Sequence, residues 1–128
     1  MIEKTVEIDG KEYTMRSSGL LPKKYRAAFG RDMIKDMRQL AKAYKRMNEL
    51  PKDATEEERE AAQFEIVDLE IFGNVAWLML KGAGEDVGND PDEWLESLDG
   101  AFEIYKALPT VMELWTANNK TTSVPRKK

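Results

Sequence analysis

The run F-G-N-V-A-W-L-M-L over residues 72–80 is the strongest constraint on this chain. A helical segment that is apolar nearly all round belongs in the middle of a small bundle, because no surface position can satisfy every side of it. Upstream and through it, Phe64, Val67, Ile71, Val75 and Leu78 keep helical spacing, and Phe72, Ala76 and Met79 widen the face. The pattern predicts one central helix over 56–81, stopping at Gly82. Thr55 followed three residues later by Glu58 is a capping box, in which hydroxyl and carboxylate satisfy the first free N–H groups. The acids of that first turn also complement the helix dipole.

The elements around this helix are marked by turn and cap chemistry. Alternating residues flank Asp9-Gly10, a pair that suits the positive φ angles of a type I′ turn, so a hairpin over 4–16 is expected. Such a hairpin must pack on helices, since two strands alone are marginal. Pro22 fits a first helical turn, and the pattern predicts a helix over 22–49 that pauses at Phe29-Gly30 and resumes at Arg31-Asp32. Asp90 and Pro91 open a last helix over 91–116, with Asp99-Gly100 and Pro109 implying a kinked or two-part form. The fold class is therefore mainly α, a small helical bundle with an N-terminal β-hairpin. One domain over 1–118 is followed by a polar, basic tail over 119–128 that has no apolar pattern and is expected to be disordered.

Within the first helical segment Met33, Met37, Leu40, Tyr44 and Met47 step by four, three, four and three, which puts them on one side. Lys35, Arg38, Lys42 and Lys45 form a basic stripe at the same spacing. The Met-rich row is either core or an exposed face that docks a partner helix, since thioether side chains repack against many shapes. Trp77 and Trp94 read as core, Trp94 with the option of half exposure. Trp115 either closes the core or offers an aromatic anchor.

Composition removes whole classes of chemistry. The chain has no His and no Cys, so the commonest general base, the commonest metal ligand and any thiolate nucleophile are missing. Ser17, Ser18, Ser97 and Ser123 have nothing to activate them, and no glycine loop opens a helix to cradle phosphate. Asp32 and Asp36 lie one turn apart but beside Arg31 and Lys35, which favours ion pairs. The loop over 85–93 is rich in oxygens but lacks the ligand spacing of a calcium loop. No enzyme activity, cofactor or metal is expected. Residues 1–52 carry a net +6, residues 53–118 a net −14 and the last ten +4. Opposite blocks favour packing of one half on the other, or head-to-tail association of copies. The acidic total counts against nucleic acid as a partner. No apolar run approaches the roughly 20 residues needed to span a bilayer, so a soluble, intracellular protein is expected.

The pieces Y-R-A-A-F-G-R-D-M-I-K-D-M, F-G-N-V-A-W-L-M-L, D-P-D-E-W-L-E-S-L and F-E-I-Y-K-A-L-P-T-V-M-E-L-W, in that order after a short β element, resemble the tail assembly chaperones of long-tailed (siphovirus-type) bacteriophages and prophages. The resemblance spans nearly the whole chain, and its strength lies in the series. It implies a non-catalytic protein that binds and solubilises the tape-measure protein and helps recruit tail-tube subunits. It implies further that the protein acts in the bacterial host cytoplasm and is absent from the mature virion. The Met33, Met37, Leu40 and Tyr44 face is the first choice for the tape-measure contact, with Met47, Trp115 and the cations Lys35, Arg38, Lys42 and Lys45 around it. Similar proteins also occur in a longer, frameshifted form, and Lys127-Lys128 suits the adenine-rich codons that such slippage uses. The alternatives are a structural head–tail connector kept in the virion and a small DNA-binding phage regulator.

Overall fold

The computed structural model describes residues 2–123, with side chains through residue 117. Strands β1 (Ile2–Ile8) and β2 (Lys11–Ser17) pair antiparallel, Ile8 opposite Lys11 and Ile2 opposite Ser17. The link is Asp9 (φ 58) and Gly10 (φ 78), the double left-handed conformation expected of Asp-Gly in a two-residue turn. That register puts Val6, Ile8, Tyr13 and Met15 on one face, which turns toward the helices.

Helix α1 (Leu21–Phe29) carries Pro22 in its first turn and stops at Gly30. Gly30 sits at φ 67, where a side chain would be strained, and its N–H closes the helix on the Arg26 carbonyl at 2.8 Å. Helix α2 (Met33–Asn48) begins at once, because the Asp32 carboxylate accepts the N–H groups of Ile34 at 3.0 Å and Lys35 at 3.4 Å. The expected pause within 22–49 is thus a full break between two helices.

The expected central helix over 56–81 is two helices. In α3 (Glu56–Ile66) the capping box forms as read: Glu58 N–H donates to Thr55 Oγ1 at 3.1 Å, and Thr55 N–H to Glu58 Oε1 at 2.8 Å. Val67 and Asp68 then turn extended (ψ 122 and 107), and α4 (Leu69–Gly82) starts afresh. Asp68 drives the restart by accepting from Glu70 N–H at 3.0 Å and Ile71 N–H at 3.2 Å. The break redirects α3 away from the core. Phe64, expected on the buried face, is 68% exposed as a result.

Every residue from Ile71 through Leu80 is buried. Helix α4 is the axis of the domain, packed against β2, α1 and α2 and the later elements α5 (Pro91–Glu96) and α6 (Leu108–Ser123). The expected final helix over 91–116 is three pieces, since a turn and a 3-10 segment (Glu103–Ala107) separate α5 from α6. The anticipated tail begins within α6, and residues 124–128 lie outside the described residues.

Side chains far apart in sequence fasten the hairpin. Asp9 N–H donates to Glu103 Oε1 at 2.7 Å, and Asp99 N–H donates to Asp9 Oδ2 at 3.0 Å. On the outer edge of β2, Thr14 N–H donates to Glu85 Oε2 at 2.7 Å. After α4 the loop folds back so that Trp77 Nε1 donates to the Val87 carbonyl at 3.0 Å.

Candidate partner-binding surface

Helix α2 divides the residues that its sequence had grouped. Met33, Met37 and Leu40 are buried, Met37 at 1% exposure, so this part of the expected docking face belongs to the core. The physical reason is that α1, α4 and α6 all pack on that side of α2. Tyr44 and Met47, one and two turns further on, are half-buried and pack on the core's edge. Lys35, Arg38, Lys42 and Lys45 are exposed on the outer side, so they do not frame Met33 and Met37 as a single mixed surface.

Where α2 leaves the core, Tyr44 and Ala41 form one wall of a groove of about 580 Å³. Met112 and Thr116 of α6 form the other, and Lys4 of β1 and Glu113 of α6 bring opposite charges to it. Trp115 is half-buried and packed against the core. The groove therefore keeps Tyr44 from the expected set and adds Lys4, Ala41, Met112, Glu113, Thr116 and Ala117. Sequence reading did not bring them together because Lys4 and Met112 lie 40 and 68 residues from Tyr44 in the chain. A channel with an aromatic ring, a thioether and a charge of each sign suits an amphipathic helix laid along it.

The buried Asp36 carboxylate lies elsewhere and serves the fold. Asp36, 2% exposed, accepts from Tyr25 Oη at 2.7 Å and from Arg31 Nε at 2.7 Å and Nη2 at 3.1 Å. Burial pushes the Asp36 carboxyl up, but the bonds from Arg31 and Tyr25 outweigh it and hold the group below the ordinary carboxylate range. Burial, and then the Asp36 carboxylate, push the Tyr25 hydroxyl well above its ordinary value. A phenol so raised and a carboxylate so held down are both fixed in one protonation state near neutrality, which is structural rather than acid–base behaviour. Phe29 packs edge-on to Tyr25 with centroids 5.0 Å apart and closes the cluster toward Trp77.

The acidic loop also spends its oxygens on backbone. Glu85 serves Thr14, Asp90 caps α5 by accepting Glu93 N–H at 2.8 Å, and Glu93 accepts Asn89 N–H at 3.1 Å. Trp77 and Trp94 are buried, with Tyr13 edge-on to Trp94 at 6.0 Å. Among the described residues no group of three or more acids converges to hold a metal ion, and no helix is long and apolar enough to cross a membrane. Comparison with protein-family models, with curated proteins and with solved structures gives no match to this chain.

Proposed function

We propose that this chain is a non-catalytic phage tail assembly chaperone that binds and solubilises the tape-measure protein in the host cytoplasm, helps recruit tail-tube subunits, and leaves before the virion is complete. The series of sequence pieces that resembles those chaperones supports the role. The observation that carries the contact is the α2–α6 groove, which Tyr44 and Met112 line together with Lys4 and Glu113. A long helical client awaiting its tube exposes an apolar stripe that aggregates, and an adaptable groove covers such a stripe reversibly. Charges of both signs at the groove add selection for the client's polar flanks.

The test is co-expression with the tape-measure protein encoded beside the gene, followed by co-purification. The client is expected to become soluble and to co-elute, and Tyr44→Asp is expected to abolish both while the chain itself stays folded. Met37→Asp is the contrasting variant, because at a buried position it should unfold the chaperone instead. A client that stays insoluble, together with recovery of this chain from purified particles, would overturn the chaperone reading in favour of a connector.

A further inference from the structure

Helix α3 has no buried residue, although it is 11 residues long. Its outward row is Glu57, Ala61, Phe64 and Glu65, with the Phe64 ring 68% exposed. The outward row of its neighbour α2 is Ile34, Arg38, Lys42 and Lys45, with Ile34 52% exposed. One row is an aromatic ring set among carboxylates, and the other is an aliphatic side chain set among cations. Although α2 and α3 are in contact, none of these charges lies in an ion pair among the described residues. The fold thus carries two complementary faces and leaves both unpaired.

We propose that these faces bind each other between molecules: the α2 row of one copy seats on the α3 row of a second copy. Phe64 then packs on Ile34 and on the aliphatic stems of Arg38 and Lys42, whose charged ends reach Glu57 and Glu65. The Arg38 guanidinium is also suited to the face of the Phe64 ring. A second copy is the occupant that charge complementarity selects, because both halves of the interface are already present in one chain. Tyr44 lies on another side of α2, so the proposed contact does not use it.

The experiment is sedimentation velocity on the full chain over a concentration series, at about 50 mM and about 1 M salt, since screening separates ionic from purely apolar association. Two charge-reversed chains accompany it: Arg38→Glu with Lys42→Glu, and Glu57→Lys with Glu65→Lys. All four positions are exposed, so both variants should keep the wild-type circular dichroism. The wild type is expected to associate at low salt and dissociate at high salt. Each reversed chain alone should associate at least about tenfold more weakly, and an equimolar mixture of the two should recover association, since every contact between them is again attractive. Phe64→Ser should weaken assembly by roughly tenfold, as loss of an aromatic anchor does. A wild type that stays monomeric at low salt overturns the proposal. So does a reversed chain that assembles like the wild type, or a mixture that fails to recover.

Discussion

Asp36→Ala removes the one carboxylate that holds Tyr25 and Arg31 together, and its cost can be worked from the geometry. The Tyr25 hydroxyl loses a 2.7 Å bond to a charged acceptor in a buried site, worth about 1.5–3 kcal/mol. Arg31 keeps 40% of its side chain in water, so its share is discounted to about 0.5–1 kcal/mol. The total is about 2–4 kcal/mol, which for a domain of this size lowers Tm by roughly 10 °C. Urea unfolding followed by tryptophan fluorescence should show a lower midpoint at unchanged slope. Tyr25→Phe alone should cost about 1–2 kcal/mol, and the double variant should cost less than the two singles together, because they share one bond. The pH dependence supplies a signed check. The Asp36 carboxyl is held below its ordinary value of 3.8, so its contribution is complete above that pH and is lost as pH falls below it. Wild type should therefore lose more stability than Asp36→Ala between about pH 4 and pH 2. An Asp36→Ala midpoint equal to wild type, or additive costs in the double variant, would refute the shared-bond account.

Two phenylalanines on neighbouring helices should behave oppositely. Phe64→Ser, on the exposed side of α3, should change stability by less than about 0.5 kcal/mol, whereas Phe72→Ala, fully buried and stacked on Tyr105, should cost about 3–5 kcal/mol; chemical denaturation of both separates these. Glu85→Ala should leave global stability nearly intact but speed hydrogen exchange at the Thr14 amide roughly tenfold, with little change at Tyr13, whose amide pairs within the hairpin. Equal exchange at Thr14 in both proteins would show that the carboxylate does not protect the strand edge.

Much of this fold is legible in the sequence where a local rule has one outcome. Asp9-Gly10 fixes the hairpin and its register, and Gly30 followed by Asp32 fixes the break between α1 and α2. The break at Val67-Asp68 is hidden because Phe64, Val67 and Ile71 keep helical spacing across it, and no Gly or Pro interrupts them. Asp68 alone marks it, and an Asp reads equally well as a surface position of a continuous helix. The partner-binding surface is harder to read for a different reason. Periodicity assigns Met33, Met37, Leu40, Tyr44 and Met47 to one side of a helix, but it cannot say how far along that side the neighbours extend. Here Met33, Met37 and Leu40 are covered, and a groove lies beside Tyr44 between α2 and α6.

The clasp at Asp9 bears on the order in which the chain folds. The tip of the first hairpin is held by Glu103 and Asp99, partners 94 and 90 residues further along. During synthesis those partners follow the hairpin by about 5–20 s at ordinary elongation rates. Two isolated strands are marginal, so the apolar face formed by Val6, Ile8, Tyr13 and Met15 waits first for α4 and then for the 3-10 segment and α6 that complete its cover. Closure of the domain is then a late, long-range event that joins the earliest and latest thirds of the chain. This is the kind of step that slows folding even where most of the secondary structure is local helix.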